Sequence, residues 1–383
     1  MTGALDGIIV ADFSRVLAGP YATMLLGDLG ATVVKVERPG SGDDTRAWGP
    51  PFAADGQSTY FQSVNRNKWS IALDLTDPAD REVAIRLATA ADVLVENHKP
   101  GALTRFGLDD DQVRRLNPRI VYCSISGFGP GAGSDLPGYD LLVQAMGGLM
   151  SITGTSEPTK AGVAVVDVLT GLHAAVGILA ALHHRDRTGE GQRVSATLLT
   201  ALQSSLVNQA SAYVSAGIVP TFLGNAHPSI APYEVFATAD RSIVLAVGND
   251  AQFTRLVEVL GDPAHAVDPR YATNSARVEH RRSLKVDLEA RLADRSADEW
   301  QERITAAGVP CGPINDIAQG FDLAERLGLD PIVPIDDARR AAPQRQVANP
   351  IGYSLTPATY RHAPPEVDED RAAVLALLGL GPA

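Results

Sequence analysis

Short, unbroken runs of Val, Ile and Leu recur between helical patterns through the first 130 residues, and they constrain the fold more than any other feature. Ile8-Ile9-Val10-Ala11, Thr32-Val33-Val34-Lys35-Val36, Trp69-Ser70-Ile71-Ala72-Leu73, Val93-Leu94-Val95 and Ile120 to Ile125 read as strands. Pro20 to Leu29 and Pro78 to Ala90 read as helices between them. Continuous apolar strands belong in a sheet covered on both faces, and consecutive parallel strands need a crossover helix. The first part of the chain therefore predicts an α/β, doubly wound, mainly parallel sheet. Ligands of such sheets bind beyond the strands' carboxyl ends, among the loops that lead into helices. Here those loops carry Ser14-Arg15-Val16, Glu37-Arg38, Asn97-His98-Lys99 and Gly127-Phe128-Gly129. Arg15, Arg38 and Lys99 thus stand where an anion would dock.

At 383 residues the chain exceeds the usual size of a single core, so a second domain is expected. A Rossmann-like large domain is expected over 1–198, a linker over 199–227 and a small α+β domain over 228–320. A second linker over 321–345 then precedes a return to the large domain over 346–383. The basis is a long helical pattern from Ala196 to Ala216, then a hairpin of Glu234-Val235-Phe236 with Ile243 to Val247. Amphipathic patterns follow over Ala251–Leu260, Ala276–Ala293 and Ala297–Ala307, with a last one over Asp370–Leu378. The net charge of −12 argues against nucleic acid or an anionic membrane as partner. A phosphate-bearing ligand would need a local cluster of Arg and Lys. The uncharged run Val168 to Leu182 is shorter than a bilayer crossing, so no membrane span is expected. Two distant cysteines, Cys123 and Cys311, make no disulfide framework, which fits a reducing, cytoplasmic location.

No G-x-G-x-x-G follows the first strand, and neither a Walker A pattern nor H-E-x-x-H occurs. No tightly bound cofactor and no metal site is expected. Asp167 follows the apolar run Gly162 to Val166 and opens a segment that reads as a buried helix. A helix N-terminus favours the charged carboxylate, and an ionised Asp facing a cleft is a competent nucleophile toward an activated acyl group. An ordinary N-cap is the other reading of the same position. The glycine-dense Gly127 to Ser134 segment is either a flexible loop or a way to bring backbone N–H groups against an oxyanion. Tyr139 in Gly138-Tyr139-Asp140 fits packing as well as chemistry.

Taken in order, these pieces resemble family III CoA-transferases, the family of formyl-CoA, carnitine and succinate CoA-transferases. The resemblance runs through Asp12 to Pro20, Gly27-Asp28-Leu29-Gly30-Ala31, Val34 to Asp43, Asn65-Arg66-Asn67-Lys68, Val95-Glu96-Asn97, Pro100 to Leu103 and Leu116 to Arg119. It continues through Asp167 to Gly171, Arg187 to Gln192 and Gly308 to Ile314, and so spans nearly the whole chain. Gly42 to Pro51 and Ser63 to Lys68 are most similar to the succinate–hydroxymethylglutarate branch. The resemblance implies transfer of CoA from an acyl-CoA donor, such as succinyl-CoA, to a carboxylic acid, most naturally a dicarboxylic one. It also implies aspartyl anhydride and aspartyl-CoA intermediates on Asp167, and an interlocked, ring-like homodimer. By the same pattern Val16, Ala18, Arg38, Leu73, Asn97, Arg105 and Tyr139 would hold coenzyme A or acyl-CoA as substrate. Arg15, Arg46 and His227 are candidates for gripping a second carboxylate.

Leu17 stands where formyl-CoA transferase carries Gln, and Gly224 to Ser229 replaces a run of glycines. Both departures count against oxalate or formate. The alternative is an acyl-CoA racemase of the same superfamily, which carries His in a Gly-His-Asp context. A tyrosine, with an ordinary pKa near ~10, is a poor base at neutral pH.

Overall fold

In the computed structural model residues 3–381 are described, and they form two compact units. The first comprises the chain up to Leu149, Lys160–Ile218 and the chain from Asp330 onward; the second comprises Met150–Thr159 and Val219–Leu329.

The first unit is organised by six parallel strands: β1 (Ile9–Asp12), β2 (Thr32–Glu37), β3 (Lys68–Ala72), β4 (Val93–Glu96), β5 (Val121–Ser126) and β6 (Arg193–Thr197). Their order is β3-β2-β1-β4-β5-β6, so the winding direction reverses between β1 and β4. Alternation of side chains gives each face its own core. Val10, Val33 and Val93 join one cluster with Ala22, Leu26 and Ile178. Ala11, Val34 and Leu94 join the other with Leu87 and Leu108. Both faces are covered, which is why these strands read as unbroken apolar runs. β6 escaped that pattern because it is an edge strand: Val194 and Ala196 pack inward, while Arg193 and Ser195 are exposed.

The helix over Val165–Thr188 is the longest element and ends at Gly189 in a left-handed conformation. It packs against the first helix, Ala18–Asp28, at Gly171, where a Cβ would stand 2.7 Å from the Ala18 carbonyl oxygen. The full helix is long and apolar enough to cross a membrane by length and composition, a property the shorter run Val168 to Leu182 did not reveal. One stripe of it (Val166, Thr170, Ala174, Ile178) lies in the core, whereas Leu172, Val176 and Leu179 on another stripe are exposed. The pattern expected as one helix over Ala196 to Ala216 is two helices, Leu198–Ser205 and Val207–Ala216, broken where Val207 takes a positive φ of 44°.

The second unit is an antiparallel sheet of β7 (Tyr233–Ala237), β8 (Ser242–Ala246) and β9 (Cys311–Pro313), in that order. Phe236, Leu245, Phe253, Leu288 and Trp300 form its core. The helical pattern from Ala276 to Ala293 is divided at His280 into Asn274–Glu279 and Arg281–Leu292. The Ile317–Arg326 helix, opened by an Asp316/Gln319 capping box, occupies sequence expected as domain end and linker.

Candidate active site

Beneath the carboxyl ends of β1–β3 lies a buried ionic floor. Lys68 Nζ is 3.0 Å from Asp12 Oδ2 and is also held by Asn65 Oδ1 and the Pro20 carbonyl. Lys35 Nζ is 2.9 Å from Asp43 Oδ2 and 3.1 Å from the Ser14 carbonyl oxygen. Burial opposes ionisation of Asp43, but Lys35 and the Thr45 N–H outweigh it and lower its pKa to about 2. Burial takes the Lys68 ammonium down to about 8 despite its partner Asp12. Each charge is matched and hydrogen-bonded, as buried ions require.

That floor shapes the two loops at the switch point. The Arg15 N–H donates to Asn97 Oδ1 at 2.8 Å, and Asn97 Nδ2 donates back to the Arg15 carbonyl at 2.7 Å. The next residue, Val16, has φ of +70°, an unfavourable conformation for a β-branched side chain. Its N–H points at the Asp43 carboxylate, 3.3 Å away. Strain of order ~1–3 kcal/mol persists at such a position only when its surroundings over-determine it. Asn97 thus acts structurally by tying the β1 and β4 loops together.

Asp167 lies in the first turn of the long helix and lines a cavity of about 460 Å³. It does not cap that helix. Asp140 Oδ1 accepts from the Val166 N–H at 2.8 Å and from the Asp167 N–H at 3.4 Å. Gln144 Nε2 holds the other Asp140 oxygen at 2.6 Å. With the helix end already satisfied, the Asp167 carboxylate has no hydrogen bond or ion pair among the described residues. The expectation that it stays ionised needs correction. Burial, and then the negative charge of Asp140, raise its pKa to about 7. The helix terminus is spent on Asp140, so its field does not rescue the second carboxylate. The same two charges act on Tyr60, whose phenol is taken up to about 12 by burial, Asp167 and Asp140.

The sequence-derived residues are divided between two cavities. Val16, Ala18, Asn97 and Tyr139 line the cavity of Asp167, as do Leu17 and, from the 127–138 loop, Gly127, Gly129, Gly133 and Gly138. That loop closes on itself because Gly127 and Gly138 touch; a Cβ on Gly127 would lie 2.4 Å from the Gly138 Cα. Arg38, Leu73 and Arg105 line a second cavity of about 300 Å³, with Phe13, Leu75 and Phe106 among its apolar walls. Arg15 and His98 border both, so the cavities adjoin. His98 is kept neutral: burial, then Arg15, lower its pKa to about 4.

Of the three cations considered for a second carboxylate, Arg15 borders the Asp167 cavity. Arg46 is committed elsewhere: its Nη2 and Nε bind Glu37 at 2.7 and 2.8 Å, and its guanidinium stacks on Phe61. His227 belongs to the second unit, where it packs on Tyr233. Lys99 pairs with Asp135 at 2.7 Å, on the exposed rim. Sequence reasoning missed Asp140 and His98 as parts of the site. Asp140 had a signal, since it ends the Gly138-Tyr139-Asp140 triplet already singled out, but nothing local showed that it caps a helix 25 residues later.

A family model for CoA-transferase family III matches residues 5–371. The chain belongs to this family. It is a CoA-transferase that uses CoA thioesters as substrates. It is 46% identical to a succinate–glutarate CoA-transferase of Agrobacterium fabrum, with 98% of this chain and 95% of that protein aligned. It is 44% identical to the mouse succinyl-CoA:glutarate CoA-transferase over 84% of this chain and 74% of that one. A crystal structure of a CAIB/BAIF family protein from Brucella suis superposes with a TM-score of 0.88 at 40% identity, covering 99% of this chain and 100% of that one. The mixed α/β fold with its six-stranded parallel sheet is the fold of that structure.

Proposed function

We propose that this CoA-transferase moves CoA from succinyl-CoA to a dicarboxylic acid of about the length of glutarate, with Asp167 as the nucleophile. The observation that carries this reading is the Asp167 carboxylate: it lines the cavity without a partner because Asp140 satisfies the helix terminus in its place. The names of the relatives supply the donor and acceptor.

The ionised Asp167 attacks the thioester carbonyl, expels CoA thiolate and becomes an acyl–aspartyl anhydride. Thiolate then attacks the aspartyl carbonyl, releasing the donor as a free carboxylate and leaving an aspartyl-CoA thioester. The acceptor carboxylate attacks that thioester, giving a second anhydride and thiolate again. A last thiolate attack on the acceptor's carbonyl yields the new acyl-CoA and restores Asp167. No water takes part in these steps, and Val16, Leu17 and Leu198 are among the apolar residues lining the cavity. In this reading backbone N–H groups of the 127–138 loop, which lines the same cavity, stabilise the tetrahedral oxyanions. Arg38 and Arg105 suit the nucleotide phosphates, while the apolar walls around Leu73 and Phe106 suit the adenine. The exposed stripe of Leu172, Val176 and Leu179 supports a homodimer, since a single chain gains nothing from showing it to water.

Incubation with succinyl-CoA, rapid quenching and peptide mass spectrometry tests the nucleophile. A succinyl or CoA adduct, or its hydroxylamine derivative, is expected on the Asp167 peptide. Transfer from succinyl-CoA to glutarate without any trappable modification there, or transfer retained in Asp167→Asn, refutes the assignment.

A further inference from the structure

Where the two cavities adjoin, one carboxylate holds two arginines. Arg15 Nη1 lies 3.2 Å from Asp44 Oδ2, while Arg38 Nη2 bonds Asp44 Oδ1. Asp44 lines the cavity of Asp167, Arg38 lines the second cavity, and Arg15 lines both. Its neighbour Asp43 is fully engaged with Lys35 and the Thr45 N–H. Asp44 differs: its side chain is 40% exposed, and its hydrogen bonds are to those two guanidinium groups. Two cations on one half-exposed carboxylate leave a net positive charge at the junction, held in place by a partner that solvent weakens.

We propose that Asp44 is an internal counter-anion at this junction, which holds Arg15 and Arg38 in position and gives up Arg38 to a phosphate of the CoA substrate. The proposal rests on the reading of the second cavity as the nucleotide site. A phosphate carries more charge than a carboxylate and accepts the same forked donors, so it displaces Asp44 where chloride or a lone carboxylate does not. The cost falls on affinity, because every CoA that binds must break the Arg38 contact and then sit beside an uncompensated Asp44 charge. Asp44 thereby acts as a filter that favours multiply charged ligands at this junction.

Asp44→Asn keeps the shape and removes the charge, and isothermal titration with CoA and with pantetheine separates the effects. The Kd for CoA is expected to fall about three- to tenfold, the scale of one screened charge at close range. The Kd for pantetheine, which carries no phosphate, is expected to stay unchanged. If 3′-dephospho-CoA shares the gain, the diphosphate takes Arg38; if it does not, the 3′-phosphate does. CoA binding that is unaltered or weaker in Asp44→Asn at an unchanged melting temperature overturns the proposal, as does an equal gain for pantetheine. CoA affinity undiminished by Arg105→Ala would instead sink the nucleotide-site reading itself.

Discussion

A buried and a half-buried set of carboxylates lie within the first unit, and their surroundings drive them in opposite directions. In the floor under β1–β3, Asp43 meets Lys35 and the Thr45 N–H and is held near pKa 2. On the wall formed by the long helix, Asp167 meets only Asp140 and is raised to about 7. Both are desolvated, so burial alone does not set the charge state; the partner does. The floor spends its carboxylates on positioning the 13–17 and 43–46 loops. The wall leaves one carboxylate unspent, which is what the proposed acyl transfer through Asp167 requires.

The largest expected effect comes from removing that group. If Asp167 is the nucleophile as proposed, Asp167→Asn should lower the transfer rate at least ~1,000-fold, since the other carboxylates lining the cavity, Asp44 and Asp135, are tied up in ion pairs. Its binding of CoA, measured by titration, should stay within about twofold of wild type, because no phosphate contact is touched. Breaking the floor acts on folding instead. Lys35→Met leaves Asp43 buried and unpaired, which should cost about 3–5 kcal/mol in urea unfolding at pH 7. The deficit should narrow in acid, where Asp43 takes up a proton. A loss of under ~1 kcal/mol at neutral pH would show that the floor is not held by charge pairing.

This contrast was only half legible from the chain. Strands β1 to β5 could be read because a sheet covered on both faces demands consecutive apolar residues, and Val10-Ala11 and Val33-Val34 supply one residue to each core. β6 and β9 could not, since an edge strand of alternating residues and a three-residue strand leave too weak a period. Asp167 was legible as a helix-terminal acid, and its motif context singled it out. Its protonation was not, because that depends on Asp140 arriving from another helix to take the terminal N–H groups. The commitment of Arg46 to Glu37 was hidden for a similar reason: a sequence gives a cation its position but not its partner. Lys35 reads as a strand residue and Lys68 as the residue just before a strand, yet their charges face a buried network that only the fold assembles.

A smaller effect reverses the usual trend for losing a carboxylate. The folded pKa of Asp167 lies well above the ordinary carboxylate value of 3.8, so the folded chain holds the extra proton between about 4 and 7. Stability is therefore lost as pH rises through that window, and the loss is complete above it. Asp167→Asn removes the penalty. It should stabilise the protein at pH 8 by about 1–2 kcal/mol, after discounting for solvent reaching the cavity, and leave stability unchanged at pH 4. Thermal melts of both proteins at the two pH values decide the point; equal melting temperatures at pH 8 would falsify the picture of Asp167 as a strained, desolvated acid.

The subtlest prediction asks whether Asp140 tunes Asp167 or merely holds its helix. Asp140→Asn keeps an oxygen able to accept from the Val166 and Asp167 N–H groups but removes the negative charge. Asp167 would then lose the repulsion of Asp140 and feel more of the helix terminus, and both changes lower its pKa. In the proposed mechanism only the ionised form attacks, so kcat/KM of the wild type should rise with pH through about 7, the value burial and Asp140 give Asp167. In the variant that limb should move to lower pH by roughly 0.5–1 unit, so that the variant keeps relatively more of its activity at pH 6 than at pH 8. A purely structural role for Asp140 would scale the whole profile down without moving it. An unmoved limb would leave burial as the sole source of the raised pKa, and the contrast between floor and wall would reduce to the presence or absence of a lysine.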